Sequence, residues 1–324
     1  MLANILFIVL GLGLLIVGGD LLVRGAVSLA SRLNIPTLLI SLTIVAFGTS
    51  APEFVVTLQD VLTGDATSNG IAMGNIIGSN IANVLLVLGM PAILYPIAMN
   101  LPGCKRHATV MVLASIMFAY FVYVLGAIGT TAGIVLMGSI FLYIVYIGWR
   151  ATQPGGEEEP VLEDLEEFTE DDAFWKTPAF LIAGLIGLPL GAKLLVDNGS
   201  VIASELGVRE EVIGLTIVAF GTSLPELATV VAAALKKQAE VAVGNIVGSN
   251  IFNLLFVGGT AGLAGTSYFT DAARSIDMPV MLASTAVLAI LIFTGMRLNR
   301  VLAVGMCLAY VGYIIFIGSK SVLI

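Results

Sequence analysis

The sequence predicts an all-α polytopic membrane protein. Ten transmembrane helices are arranged as two inverted five-helix repeats, with helices two and seven broken at a central site near mid-bilayer. Composition is the first reason: the 324 residues are 58% hydrophobic and only 11% charged, with mean hydropathy +1.04. Lipid is therefore the main solvent. The second reason is an internal duplication. Ile40–Glu53 and Ile213–Glu226 differ only at Ser41/Gly214 and Ala51/Leu224. Ile71–Asn83 and Val241–Asn253 differ only at Ile71/Val241, Met73/Val243, Ile77/Val247 and Ala82/Phe252. The third reason is a proline and a carboxylate placed together inside an apolar run, at Pro52-Glu53 and again at Pro225-Glu226. Proline has no N–H and clashes with the preceding turn, so each helix breaks just before it and exposes carbonyls at bilayer depth. An ionisable group at that depth marks an ion or substrate path.

In order, the first span runs from about Ala3 to Ala30 and carries Gly11, Gly13, Gly18, Gly19 and Gly25, which suit close packing of a neighbouring helix or sliding against it. Asp20 and Arg24 have i, i+4 spacing, and Lys193 and Asp197 repeat that spacing in the second half with the signs reversed. Both read as structural or interfacial ion pairs, with gating as the second reading. Spans two and three, about Pro36–Leu62 and Ser68–Pro91, hold the first motif pair and are joined by a linker containing Asp65. Spans four and five, about Ala108–Leu125 and Thr130–Arg150, lack internal charge and read as scaffold. The second half repeats the plan at about Trp175–Ser204, Val212–Ala234, Glu240–Leu263, Asp277–Thr294 and Leu298–Gly318. The chain thus divides into a first repeat over 1–151, an acidic linker over 152–174 and a second repeat over 175–324.

The net charge of −8 is local, because ten of the 22 acidic residues lie between Glu157 and Asp172. That tract has no basic residue and no spaced Ca²⁺-loop pattern, so it reads as a solvated linker. Five spans per repeat is an odd number, so the second copy enters from the opposite side of the membrane. Loops on one side hold Arg32, Lys105, Arg106, Arg150, Lys176, Lys236, Lys237, Arg297 and Arg300, against Arg209, Arg274 and Lys320 on the other. This bias places both termini outside and the acidic linker in the cytoplasm. Trp149 and Trp175 flank the linker as interfacial anchors. The N-terminus reads as a retained first span, because no basic region precedes the apolar stretch. Cys104, in a short loop, and Cys307, in the last span, have no reason to pair. The only histidine, His107, reads as an interface residue at a loop edge.

The four motifs offer oxygen ligands alone. The first contributes Thr49, Ser50 and Glu53 and the third Thr222, Ser223 and Glu226, with freed carbonyls at Ala46 and Ala219. The second and fourth contribute Ser79 and Asn83, and Ser249 and Asn253, again at i, i+4. Such a set suits hard cations, Ca²⁺ and Na⁺, and lacks the thiolate and imidazole that zinc, copper or nickel would select. Gly74, Gly78, Gly244 and Gly248 read as helix-packing positions.

The paired GTSxPE and GNxxGSNIxN motifs resemble the α-repeats of sodium/calcium exchanger-type antiporters in the calcium/cation antiporter superfamily, particularly prokaryotic members, over nearly the whole chain. The resemblance makes Glu53 and Glu226 the central Ca²⁺ ligands. Thr49, Ser50, Thr222, Ser223, Ser79, Ser249, Asn83, Asn253 and the Ala46 and Ala219 carbonyls would complete the cation sites. It also implies a prokaryotic cytoplasmic membrane, and first and sixth helices that slide past a fixed eight-helix core. Potassium-dependent relatives carry an aspartate where this chain has Asn83 or Asn253. Proton-coupled relatives carry a glutamate soon after Gly-Asn, where this chain has GNIIGSN and GNIVGSN. Both departures favour Na⁺ as the counter-ion.

The expectation is a secondary antiporter that exchanges Ca²⁺ for Na⁺, with a Ca²⁺/H⁺ or other cation/proton exchanger as the alternative. A passive channel fits less well, because a duplicated pair of broken helices meeting at mid-membrane favours alternating access. No nucleotide motif and no nucleophile-base pair supports an enzyme. Neither a cofactor, a nucleic-acid partner nor an obligate protein partner is expected, the surroundings being lipid and the two ions.

Overall fold

The computed structural model describes residues 1–63, 70–151, 174–206 and 219–321. Helix α1 spans Leu2–Leu33, three residues past the expected end. It stops where Asn34 enters the left-handed region (φ 52°) and the Asn34 and Ile35 N–H groups turn back onto the Ser31 and Ala30 carbonyls. The second span is split into α2 (Thr37–Thr49) and α3 (Ala51–Thr63), bent by 43°. Ser50 lies between them with φ −81° and ψ 7°, outside helical geometry, two residues before Pro52. After these come α4 (Ile71–Leu94), α5 (Cys104–Leu125), α6 (Thr130–Ala151) and α7 (Lys176–Glu205). The broken-helix pattern recurs at α8 (Ala219–Thr222) and α9 (Leu224–Leu235), where Ser223 has φ −86° and ψ 4° before Pro225. The chain continues with α10 (Ala239–Ala264), α11 (Ala273–Thr294) and α12 (Arg300–Ser321).

Among the described residues, eight helices are long and apolar enough to cross a membrane, and nine when α2 and α3 count as one bent span. The expected span Val212–Ala234 begins outside the described residues, as do Asp65, Arg209 and the acidic tract Glu157–Asp172. What is described is an all-helical membrane fold.

Helices α4 and α10 form the centre. The apolar core of α10 is 94% buried, against 11% for α12, which faces outward. Around that centre α1 runs along α7 at very close range. A Cβ on Gly11 would lie 2.8 Å from the Gly191 carbonyl, and one on Gly184 would lie 2.7 Å from Leu22 Cβ. The glycines are thus the means by which two backbones touch. At one end of this pair the Ser28 and Thr177 hydroxyls meet at 2.6 Å, and Arg32 Nε donates to Thr177 Oγ1 at 2.8 Å.

Two short pairings tie the halves together. Strand β1 (Ala127–Ile128) is antiparallel to β2 (Ser267–Tyr268), with Ile128 opposite Ser267. Elsewhere Ile97 pairs with Leu298. Arg274 Nη2 donates to the Gly126 carbonyl at 2.9 Å and holds the turn before β1.

Two expectations at the start of the fourth span are corrected. Cys104 is not in a loop, and His107 is inside the protein and not on its surface. Gly103 takes φ 72° and the helix begins at once, at Cys104. Both side chains are therefore buried, with His107 Nδ1 2.9 Å from the Tyr143 hydroxyl. The two cysteines are not joined. The Asp20–Arg24 pair forms at 2.8 Å and gains a third member, since Lys236 Nζ, at the end of α9, reaches Asp20 Oδ1 at 2.6 Å. Lys193 and Asp197 pair at 2.8 Å on a well-exposed face.

Candidate cation site

The helix breaks decide where the site lies. Because Ser50 and Ser223 leave helical geometry, α3 and α9 each start afresh, with Glu53 and Glu226 in their first turns. A helix N-terminus favours a carboxylate there, so the break and the charge stabilise each other. Both glutamates are fully buried, at 0% exposure. Burial of two carboxylates is costly unless cations or donors face them.

The donors come from both halves of the chain. Ser50 Oγ donates to Glu226 Oε1 at 3.2 Å, and Ser249 Oγ approaches the same oxygen at 3.5 Å. On the other side Ser79 Oγ is 3.5 Å from Glu53 Oε1, and Thr222 lies beside the Glu53 carboxylate. Thr49 Oγ1 is 3.4 Å from Ser249 Oγ. Residues of the first motif thus serve the glutamate of the third, and the reverse. The second carboxylate oxygen of each glutamate, Oε2, has no hydrogen-bond partner among the described residues.

The remaining predicted residues separate into three groups. Asn83 is fully buried, and its Nδ2 donates to Asn250 Oδ1 at 3.1 Å, which leaves Asn83 Oδ1 without a partner. Asn253 is equally buried, and neither polar atom of its amide is bonded; the Ser223 hydroxyl is also unbonded. Ala46 departs from expectation, because its carbonyl accepts the Ser50 N–H at 3.1 Å and the Thr49 hydroxyl at 3.3 Å. The chain resumes a helical turn at Ser50 soon enough to satisfy that carbonyl. Ala219 is the first described residue of α8.

Sequence reasoning missed a layer of asparagines behind these groups. Asn75 Nδ2 donates to the Glu53 carbonyl at 3.0 Å and to Thr57 Oγ1 at 2.9 Å, tying α3 to α4. Asn245 Oδ1 accepts the Thr49 hydroxyl at 3.1 Å. Asn80 Nδ2 turns back to the Ile76 carbonyl at 2.7 Å. The available signal was their recurrence: Asn75, Asn80, Asn245 and Asn250 are identical in both copies of the motif, and buried amides need partners. The motif glycines pack as expected in the second copy, where a Cβ on Gly248 would be 2.6 Å from Ala46 Cβ and from the Leu42 carbonyl. Among the described residues nothing lies within 4 Å of a Cβ on Gly74 or Gly78, and Leu215, the counterpart of Leu42, lies outside them.

Both π-helical turns in the central helices begin at predicted ligands, Asn83 in α4 and Asn253 in α10. Such turns widen a helix locally and re-aim the residue at their start. What results is a buried, oxygen-lined centre with two carboxyl groups and several polar atoms unsatisfied among the described residues. That is the donor set of a hard-cation site.

The family model for sodium/calcium exchanger protein matches residues 3–151 and 176–318, nearly the whole of both halves. The chain belongs to this family. It is accordingly a membrane transporter of the cation antiporter type and not an enzyme. It is 36% identical to CaxA of Alkalimonas amylolytica over 97% of this chain and 98% of that one. It is 29% identical to the sodium/calcium exchanger MaX1 of Methanosarcina acetivorans over 96% and 97%. Among solved structures it resembles the sodium-calcium exchanger NCX_Mj soaked with Na⁺ and Sr²⁺, with TM-score 0.80 and 30% identity, covering 96% of this chain and 97% of that chain. The family member described here shares that helical fold.

Proposed function

We propose that this family member exchanges Ca²⁺ for Na⁺ by alternating access at one central site, built from Glu53, Glu226, Thr49, Ser50, Thr222, Ser223, Ser79, Ser249, Asn83 and Asn253. The observation that carries this reading is the pair of fully buried glutamates, each facing a hydroxyl from the other half and each with one oxygen unsatisfied among the described residues. Two carboxylates neutralise one Ca²⁺ or two Na⁺, but not both together, and mutual exclusion at one site is what makes transport an exchange. The Ala46 carbonyl joins a ligand shell when the Thr49 hydroxyl turns from it to a cation, and Ala219 takes the equivalent place in the second copy.

Ten spans in two inverted repeats remain the architecture that best accounts for the described helices. Under the offset that takes Ile71 to Val241, Ile97 maps to Ser267 and Ile128 to Leu298. The two strand pairings, Ile97–Leu298 and Ile128–Ser267, are then copies of each other. The two halves differ in openness. Where α1 crosses α9, a Cβ on Gly19 would meet the Ala228 carbonyl at 2.7 Å. Between α3 and α7, a cavity of about 400 Å³ reaches Thr222 and is lined also by Gln59, Pro189, Lys193 and Asp197. One approach closed and the other open supports alternating access over a continuous pore. On the charge bias, both termini lie outside and the acidic linker is cytoplasmic.

The test is Ca²⁺ uptake by proteoliposomes under imposed Na⁺, K⁺ or H⁺ gradients, with uptake expected under an outward Na⁺ gradient alone. Exchange for H⁺ is the second reading, because two buried carboxylates can carry protons as they carry cations. Uptake driven by a pH gradient without Na⁺ would establish it in place of the first.

A further inference from the structure

Resting on the site proposed above, we infer that Asn250 is a positioning residue that aims the amide oxygen of Asn83 at the transported cation. An asparagine serves a cation only through its oxygen; the NH₂ end repels it. Nothing in the side chain's shape chooses between the two ends, so the choice is made by whatever holds the other end. For Asn83 that holder is Asn250, whose Oδ1 accepts Asn83 Nδ2 at 3.1 Å. Asn250 is itself an amide and would present its own NH₂ if reversed. Its orientation is set one step further back, where its Nδ2 lies 4.0 Å from Met111 Sδ on α5. A thioether accepts and cannot donate, so the NH₂ of Asn250 belongs on that side and its oxygen faces Asn83. All three residues are fully buried or nearly so, and water does not compete with the relay. At its end Asn83 Oδ1 is left without a protein partner, one helical turn beyond Ser79, whose hydroxyl faces Glu53.

The duplicate relay is not made. Under the offset that takes Asn83 to Asn253, Asn250 corresponds to Asn80. Asn80 Nδ2 is committed to the Ile76 carbonyl, Asn80 Oδ1 is unbonded, and Asn253 has no bond at either polar atom. The two amide ligands are therefore unequal: Asn83 is oriented in advance and Asn253 is not.

Direct Ca²⁺ binding to the purified full-length protein tests this, because it requires no counter-ion. Glu53→Gln loses binding if the site is placed correctly. Asn250→Leu, similar in size but without an acceptor, is expected to raise the Ca²⁺ concentration for half-saturation about tenfold, as loss of a supporting hydrogen bond does at other metal sites. Asn83→Ala shifts it as much or more, and the Asn83→Ala/Asn250→Leu double variant is no weaker than Asn83→Ala alone, because Asn250 then has nothing to orient. Should Asn250→Leu not fold, Asn250→Ala removes the same acceptor in a smaller side chain and is expected to raise half-saturation by a similar factor. If Glu53→Gln loses binding while Asn250→Leu binds normally, or if the two asparagine effects multiply in the double variant, the positioning role is overturned with the site intact. If Glu53→Gln binds normally, the site itself is misplaced.

Discussion

At the level of single residues the chemistry reduces to charge and its neutralisation. Glu53→Gln or Glu226→Gln leaves one negative charge facing a divalent ion in a dry setting, a loss of about 3 kcal/mol or more and thus roughly a hundredfold or more in affinity. Each variant is expected to abolish Ca²⁺ flux while eluting as folded protein, and near-normal flux in either would contradict the site. Protons should compete for the same carboxylates. As pH falls, protonated glutamates lose the charge that attracts Ca²⁺, so acid is expected to inhibit flux and high Ca²⁺ to restore it. Inhibition that excess Ca²⁺ cannot relieve would place the titrating group elsewhere. The burial of the two glutamates at helix breaks was readable from sequence, because Pro-Glu recurs inside apolar runs. The amides behind them were not, since Asn75, Asn245 and Asn250 act through partners on other helices that a linear motif does not name. His107 misled for a similar reason: its Lys-Arg neighbours suggested a surface, whereas the Tyr143 hydroxyl that accounts for its burial comes from α6.

Among the helices, the contact between α1 and α7 is made by glycines so tightly that one methyl group has no room. Gly184→Val would drive a side chain into Leu22 and the Gly18 carbonyl, at a cost of about 1–3 kcal/mol. If α1 and α7 move as a unit past the central helices, this variant should slow Ca²⁺ flux while leaving Ca²⁺ binding near normal. Equal loss of both would instead indicate a misfolded pair. The sequence showed these glycines but not their partners, because helix proximity is a property of the assembled fold. The ion pairs show the same limit. Spacing alone made Asp20–Arg24 and Lys193–Asp197 look equivalent, yet only Asp20 recruits a distant cation, Lys236. Asp20→Asn releases two cations and is expected to lower the thermal midpoint measurably. Lys193→Met breaks a pair without a third member among the described residues and should lower the midpoint less. A larger effect from Lys193→Met would reverse this ranking.

For the molecule as a whole, duplication is the governing fact. Two copies of one motif set bury two carboxylates, and Glu226 faces hydroxyls from both copies, so the proposed site draws on both halves. The duplication and the apolar spans are visible in the sequence because both are periodic. The departures from symmetry among the described residues, the α3–α7 cavity against the tight α1–α9 contact at Gly19 and the asparagine relay made in one copy, depend on which approach to the site is open. Identical motifs cannot encode that difference. The central claim is that Na⁺ and Ca²⁺ occupy the same two carboxylates in turn. Its most direct test is Ca²⁺ uptake into Na⁺-loaded proteoliposomes, measured against external Ca²⁺ at several external Na⁺ concentrations. External Na⁺ is expected to raise the Ca²⁺ concentration for half-maximal uptake without lowering the maximal rate. A maximal rate that falls while half-saturation stays fixed, or uptake that proceeds without internal Na⁺, would contradict a shared site.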